Sequence, residues 1–211
     1  MSFLVEWNQA QPLILPDLRD CPWEMAQSRL VLAAREFFAR SGAWRQELDT
    51  TSIQGERDYP ELVDLMDAEI VRVKRAFYGT QEIRPMLPTD FFKEVAEDPG
   101  TETTPQWMTV VEDTLYLHRA PLESGVLIKA ECTFKPALTA RGLPADLWNQ
   151  HIEHIAEGAK ARLYASQAKP YTDLNLAAIA RDAFNREIGK AMARASRGST
   201  RAARRVRAHF F

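Results

Sequence analysis

Residues 126–134, VLIKAECTF, alternate between apolar and polar side chains and give the clearest strand signal in the chain. Because successive side chains of a strand point to opposite faces, alternate positions share one face. The residues that fall on that face here are all apolar: Val126, Ile128, Ala130, Cys132 and Phe134. We therefore expect a strand with one buried face, in which Cys132 serves packing.

The residues before this strand predict further short strands. Gln106–Val111 and Thr114–His118 flank Glu112-Asp113, the signal of a tight hairpin. The segment from Asp67 to Tyr78 alternates only in part, which is typical of a strand with one covered face, and Gly79-Thr80 ends it. Shorter segments at 44–50, 56–59 and 61–66 precede it, and a short helix over 91–96, ended by residues 98–100, follows it. A strand-rich region is thus predicted over about 44–134.

Predicted helices flank this strand-rich region on both sides. Apolar residues at steps of three and four predict a helix from Asp20, an acceptable N-cap, to about Arg40, where Ser41-Gly42 supplies a stop. A second stripe runs from Pro144 to about Gln167, and Thr172 or Asp173 caps a third helix. The predicted apolar face of that third helix consists of Leu176, Ile179, Ala180, Ala183, Phe184, Ile188 and Met192.

Strands and helices are thus segregated along the chain, without the β-α-β alternation of a parallel sheet, so the fold class is α+β. We expect a bundle of three to four helices with a small antiparallel β-sheet insertion and extended N- and C-terminal arms. The predicted divisions are an arm at 1–20, one α+β domain at 21–197 that ends in the helical pair of about 144–196, and a basic tail at 198–211.

Charge is distributed unevenly along the 211 residues. Seven of the 27 Lys and Arg residues lie in 189–211, where there is no Asp or Glu, so the first 188 residues hold 20 basic and 29 acidic side chains, a formal charge of −9. An acidic body that carries a basic tail indicates that the tail has a partner of its own.

The tail residues are the candidate binding residues. A helix over 200–209 would place Arg201, Arg204, Arg205 and His209 on one face, ahead of two terminal rings. Three interpretations stay open: docking on an acidic protein surface, contact with DNA phosphates, and a solvated terminus. The terminal rings favour protein docking, and the acidic body disfavours a DNA-binding protein. The candidate partner-binding residues are Arg197, Arg201, Arg204, Arg205, Arg207, Phe210 and Phe211.

Motifs for catalysis are not evident. His151 and His154 share a helix face, but their spacing is not that of HExxH and no third metal ligand is apparent. The sequence contains no phosphate-binding glycine motif, and neither Cys21 nor Cys132 lies in a nucleophile motif. We therefore predict no catalytic, cofactor or metal site, and a protein that is not an enzyme.

The sequence also indicates where the protein is made and whether it crosses a membrane. No apolar run approaches the ~20 residues of a membrane span, and the first residues lack the pattern of a secretory signal. The two cysteines are far apart and form no CxxC pair. We expect free thiols in a protein that is made in a reducing cytoplasm, with no membrane contact.

One stretch resembles a known family. Residues 78–91, YGTQEIRPMLPTDF, resemble the strand, "GTQ…P…DF" and short helix of the head-to-tail adaptors, or connectors, of tailed bacteriophages. Residues 49–73 resemble a set of short strands in that family. TFKP at 133–136, followed by LPADL at 143–147, resembles the end of a strand and the start of its helix pair. The resemblance covers about residues 20–195.

The resemblance implies a structural protein of the virion neck, made in the cytoplasm of the host bacterium. Adaptors of this kind form a closed ring, with a dodecamer as the expected form, that docks on the portal protein and joins it to a tail-side protein. The tail would be unordered alone and would fold onto the portal. DNA would pass through the ring during genome ejection without specific binding, since an acidic wall repels it. The alternatives are another neck or tail-completion protein, or a small nucleic-acid-binding protein that uses the basic tail.

Overall fold

The computed structural model describes residues 3–60, 67–97 and 103–197. Within these residues the chain forms five α-helices and nine strands, and 46% of the residues are helical while 27% are in strands. The helices are α1 (Gln11–Ile14), α2 (Trp23–Ser41), α3 (Pro88–Glu97), α4 (Ala145–Tyr164) and α5 (Leu174–Arg197). The strands are β1 (Leu4–Glu6), β2 (Arg45–Thr51), β3 (Asp58–Tyr59), β4 (Ala68–Tyr78), β5 (Gln81–Pro85), β6 (Trp107–Val111), β7 (Thr114–Leu117), β8 (Leu127–Pro136) and β9 (Gly142–Pro144).

The predicted architecture, a bundle of three to four helices with a small sheet insertion, is wrong, and the predicted C-terminal arm lies outside the described residues. Seven strands form one curled sheet in the order β2-β8-β4-β5-β6-β7-β3, so the sheet is a full layer of the fold. All neighbours in it are antiparallel except β5 and β6. Helix α2 packs against β8, and α4 and α5 pack against α2. The result is a sheet layer and a helix layer with a shared core.

Strand β8, which the alternation at 126–134 predicted, is an internal strand of the sheet. It pairs with β2 on one side and with β4 on the other. Ile128, Ala130, Cys132 and Phe134 are all buried on one face, which confirms the strand and the packing role of Cys132. Burial raises the pKa of the Cys132 thiol to about 12, so it stays protonated.

The curl of the sheet follows from its connections. Strands β2 and β3 are the two edges of the sheet but are consecutive in the chain, and residues 52–57 link them. Ser52 joins this link to the residues just before β8, since its backbone N–H donates to the Val126 carbonyl at 2.8 Å and its Oγ donates to the Glu123 carbonyl at 2.7 Å. Because so short a link joins the two edge strands, the sheet must curl to bring their ends together, and Ile83, Met108 and Leu115 of β5, β6 and β7 are fully buried.

Two features of β4 and β5 explain why the sheet is larger than predicted. The pairing of β4 with β8 shifts register between Ile70 and Arg72 and again between Val73 and Arg75. Each such bulge disturbs the alternation of side chains, so β4 shows a partial pattern although it is the longest strand. Strand β5, which was not predicted, has one buried residue, Ile83, and it joins β4 to β6.

The N-terminal segment is also not the extended arm that was predicted. Residues 3–18 form β1, two turns of 3-10 helix and α1, and they lie against the body. Trp7 is fully buried, and its Nε1–H donates to the Ala140 carbonyl at 2.7 Å. Strand β1 pairs with β9, where a Cβ on Gly142 would lie 2.0 Å from the Val5 carbonyl oxygen. Only glycine permits this approach of the two backbones.

The predicted helices have nearly the predicted bounds. Helix α2 begins at Trp23, with Pro22 rather than Asp20 as its N-cap, and it ends at the left-handed Gly42, as expected. Asp173 caps α5, because its Oδ1 accepts the N–H groups of Asn175 and Leu176. Residues 165–173 connect α4 to α5, and the two helices run antiparallel, since Gly158 approaches Phe184 and the earlier His154 approaches the later Glu187.

Candidate interaction surfaces

The predicted binding residues of the tail can be located only in part. Arg197 is the last residue of α5 and is exposed. The predicted helix over 200–209 and the remaining predicted binding residues lie outside the described residues; these are Arg201, Arg204, Arg205, Arg207, Phe210 and Phe211. The partner-binding role of the whole set stays a prediction.

The histidine pair lies on α4 and has a packing environment. His151 is 5% exposed and contacts the rings of Phe37 and Phe38, whose centroids are 5.0 and 5.8 Å from its own. Burial lowers its pKa to about 4, and the charges of His154 and Arg194 act in the same direction. Its Nδ1 has no hydrogen-bond partner among the described residues. His151 is therefore a neutral member of the core.

His154 faces α5 rather than a ligand set. Its Nε2 lies 3.6 Å from Oε2 of Glu187. In the part of the chain that the structure describes, no cluster of three or more His, Cys, Asp or Glu could hold a metal ion. None of the described helices is long and apolar enough to span a bilayer.

A cluster of three arginines around one carboxylate joins the three long helices. Glu36 of α2 accepts hydrogen bonds from Arg40 at 2.6 Å, from Arg181 at 2.7 and 3.0 Å, and from Arg162. Burial raises the pKa of Glu36, but the hydrogen bonds from Arg181 and Arg40 and the charge of Arg162 outweigh it, so the pKa lies below its ordinary value. Three arginines and one carboxylate leave the cluster with a formal charge of +2.

Next to this cluster, α4 and α5 enclose an apolar groove of about 340 Å³. Its lining consists of four alanines and two of the clustered arginines: Ala161, Arg162, Ala165, Ala177, Ala178 and Arg181. Ala165 and Ala178 are exposed, and Leu174 at the start of α5 is 70% exposed. The groove is thus an open apolar surface with positive charge beside it.

The sequence pattern of α5 did not reveal this groove. Of the predicted apolar face, Ala180, Phe184 and Ile188 are buried, but Leu176, Ile179 and Met192 are 43%, 64% and 49% exposed. The buried stripe instead includes Ala177 and Ala191. A signal was present in the sequence: small residues line the side where α4 approaches closely, and large apolar residues face outward.

A second exposed apolar surface lies on the sheet layer. Helix α3 packs on β6 through Phe91, which is buried. The neighbouring Leu87 and Phe92 are 69% and 46% exposed. Three acidic residues and one basic residue accompany them on α3, namely Asp90, Glu94, Glu97 and Lys93, all exposed. We call this surface the acidic patch; it consists of Leu87, Asp90, Phe92, Lys93, Glu94 and Glu97. Its formal charge is −2.

The described part of the chain thus carries two exposed apolar surfaces with opposite net charge beside them, the groove and the acidic patch. The chain matches the SU10 adaptor protein family over residues 9–207, and it belongs to this family of phage head-to-tail adaptors. No curated protein matches the chain. The family resemblance of the sequence is confirmed, and the family implies a structural protein of the virion neck that meets portal and tail proteins.

Proposed function

We propose that the chain is a non-enzymatic subunit of a closed ring that docks on the portal and connects it to the tail. The observation that supports the proposal most is the family match, which extends over both layers of the fold and into the tail. Two unlike exposed surfaces, the groove and the acidic patch, add support, because a subunit of a ring meets two different neighbours.

The basic tail is the proposed attachment to the portal. Helix α5 carries Arg194 and Arg197 in its last turn, and four further arginines follow before Phe210 and Phe211. Arginines and aromatic rings are the residues that most often dominate interface energies. A ring presents many copies of the tail at once, so a modest affinity for each copy adds up to firm attachment.

Deletion of residues 198–211 tests the attachment. We expect the truncated protein to fold as the full chain does, by circular dichroism and thermal unfolding, and to lose attachment to the portal of its own phage in negative-stain images and light scattering. Two variants separate the causes: alanines at the arginines of 201–207, and alanines at Phe210 and Phe211. Full attachment of the truncated protein would remove the tail from the proposal.

The alternatives predict different results in the same preparations. A tail-side neck or tail-completion protein would cross-link to tail-tube protein and ignore the portal. A nucleic-acid-binding protein would bind DNA with an affinity that falls steeply with salt. The proposed adaptor binds DNA weakly at physiological salt, because the acidic body of residues 1–188 repels the phosphates and lets DNA slide through the ring.

A further inference from the structure

The groove between α4 and α5 has the size and the lining of a side-chain pocket. Its volume of about 340 Å³ is enough for one large apolar side chain. The alanines supply a floor without long side chains. A leucine or phenylalanine from another molecule could therefore enter without displacing any part of α4 or α5.

The charges beside the groove select an acidic occupant. Arg162 and Arg181 line it, and both share Glu36 with Arg40. Side-chain exposure is 21% for Arg162 and 42% for Arg181. A carboxylate that approaches would reduce the excess positive charge of this cluster in partly desolvated surroundings, where such a pair is worth more than in open solvent.

The chain itself carries a surface with the complementary properties. In the acidic patch, Leu87 and Phe92 project from the sheet layer, with Asp90 and Glu94 close to them in sequence. Phe92 is held in place, since its ring packs on the rings of Phe91 and Tyr116 with centroids 5.4 and 5.5 Å away. The patch is thus a preorganised apolar projection with negative charge, opposite in both respects to the groove.

The two surfaces belong to different layers of one chain. The acidic patch lies on β6 in the sheet, whereas the groove lies in the helix layer that packs on α2. A contact between two unlike surfaces is heterologous, and repeated contacts of this type close into rings when the rotation allows. The chain's own tail is a poor occupant, because its arginines would meet the arginines of the groove.

We infer that the groove of each subunit binds the acidic patch of a second copy of this chain, with Leu87 or Phe92 in the groove and the carboxylates of α3 beside Arg162 and Arg181. The inference rests on the proposed ring and adds the contact that forms it. Each subunit in the ring gives its acidic patch to one neighbour and its groove to the other.

Paired variants test this contact. Ala178→Trp fills the groove, and Asn175→Trp is its control, because Asn175 is also exposed on α5 but does not line the groove. Leu87→Asp damages the acidic patch, and Leu138→Asp is its control, at a similar exposure of 63%. We expect the first member of each pair to weaken self-association roughly tenfold or more, as loss of a central interface anchor does. The controls should assemble as the wild type does.

Mixing the two defective variants gives the sharper result. Ala178→Trp keeps its acidic patch and Leu87→Asp keeps its groove, so the mixture should stop at one-to-one dimers of about 48 kDa, twice the 24.0 kDa of the chain, in sedimentation or light scattering. Circular dichroism establishes that each variant is folded. The assays use the chain alone at high concentration and the chain on its portal.

Three other outcomes overturn the inference, each in a recognisable way. If the wild type forms rings and both defective variants do so equally well, the ring stands and this contact is wrong. If only Ala178→Trp fails, the groove has another occupant, and loss of assembly on deleting 198–211 would identify it as the tail. If the wild type stays monomeric even on the portal, the ring and its contact are both wrong.

Discussion

Substitution of Gly158 by alanine probes the packing that holds α4 and α5 together. Gly158 is buried in the middle of α4, opposite Phe184 of α5. A Cβ at this position would lie 2.6 Å from both Cδ2 and Cε2 of the Phe184 ring. Carbon atoms normally pack at about 3.5–4.0 Å, so the ring would have to move by roughly 1 Å.

The ring has little room for such a movement. Phe184 is fully buried, its centroid lies 6.1 Å from that of Phe37, and the guanidinium groups of Arg162 and Arg181 lie 5.9 and 5.7 Å from it. Overpacking of a core costs about 1–3 kcal/mol. Alanine gains about 1 kcal/mol over glycine in helix propensity, so the net expectation for Gly158→Ala is a loss of about 0–2 kcal/mol.

Gly189→Ala on α5 is the matched control. It makes the same change inside a helix, but an added Cβ meets no atom within 4 Å. We expect it to stabilise the chain by about 1 kcal/mol, so the difference between the two variants isolates the clash, at about 1–3 kcal/mol. Urea unfolding followed by tryptophan fluorescence measures both. Equal stabilisation by the two substitutions would refute the close packing of Gly158 on Phe184.

Three further changes test other parts of the fold. Burial lowers the pKa of His151 from 6.5 to about 4, so on acidification the imidazole of the unfolded chain is protonated first. The free energy of unfolding therefore falls between about pH 6.5 and pH 4. His151→Leu should remove about 3 kcal/mol of that loss. Unfolding curves near pH 7 and pH 4 measure it, and equal pH dependence in both proteins would contradict it. Glu36→Gln should cost about 3 kcal/mol in urea unfolding, since it leaves partly buried arginines unpaired, whereas Glu82→Gln, in an ion pair that is 56% exposed on both sides, should cost under about 1 kcal/mol; equal losses would count against the cluster. Gly142→Ala should detach β1 from β9, because its Cβ would lie 2.0 Å from the Val5 carbonyl oxygen; limited proteolysis near the N-terminus should then become faster, and unchanged proteolysis would exclude this contact.

Local signals in the sequence located most of the elements. The alternation at 126–134 predicted β8 and its buried face, because a strand with one covered side must repeat every second residue. Gly42 predicted the end of α2, since it takes the left-handed conformation that glycine adopts without strain. Asp173 was one of two candidate caps of α5, and the hydrogen bonds at its Oδ1 select it over Thr172.

The size of the sheet could not be predicted in this way. Strand β5 holds one buried residue, Ile83, so it has no alternation to detect, yet it joins the β4–β8–β2 strands to the β6–β7 hairpin. The bulges of β4 arise from pairing with β8, which is contact over a long sequence distance. Without β5 the strands look like two small groups, and this explains the incorrect expectation of a small insertion.

The surface of α5 shows a second limit of periodic patterns. Seven apolar residues of this helix share a broad face, but only the side that meets α2 and α4 is buried, and close approach there selects alanines and Phe184. Leu176 and Ile179 were predicted to lie on the apolar face of this helix, yet they are exposed. Whether a side chain is buried depends on which side of the helix a neighbouring element covers. The sequence of a single helix does not contain that information.

The groove and the basic tail both carry positive charge, but they suit different partners. Both the groove and the tail favour negative charge, but the groove also requires an apolar projection, which the acidic patch of another copy supplies around Leu87 and Phe92. The tail carries four arginines at 201–207 ahead of Phe210 and Phe211, and the arginines of the groove would repel it. Within the proposed ring, the groove is therefore satisfied by the neighbouring copy, while the tail remains available for an acidic surface of another protein. On this reasoning, ring closure and portal attachment use separate residues, and a variant that loses one should keep the other.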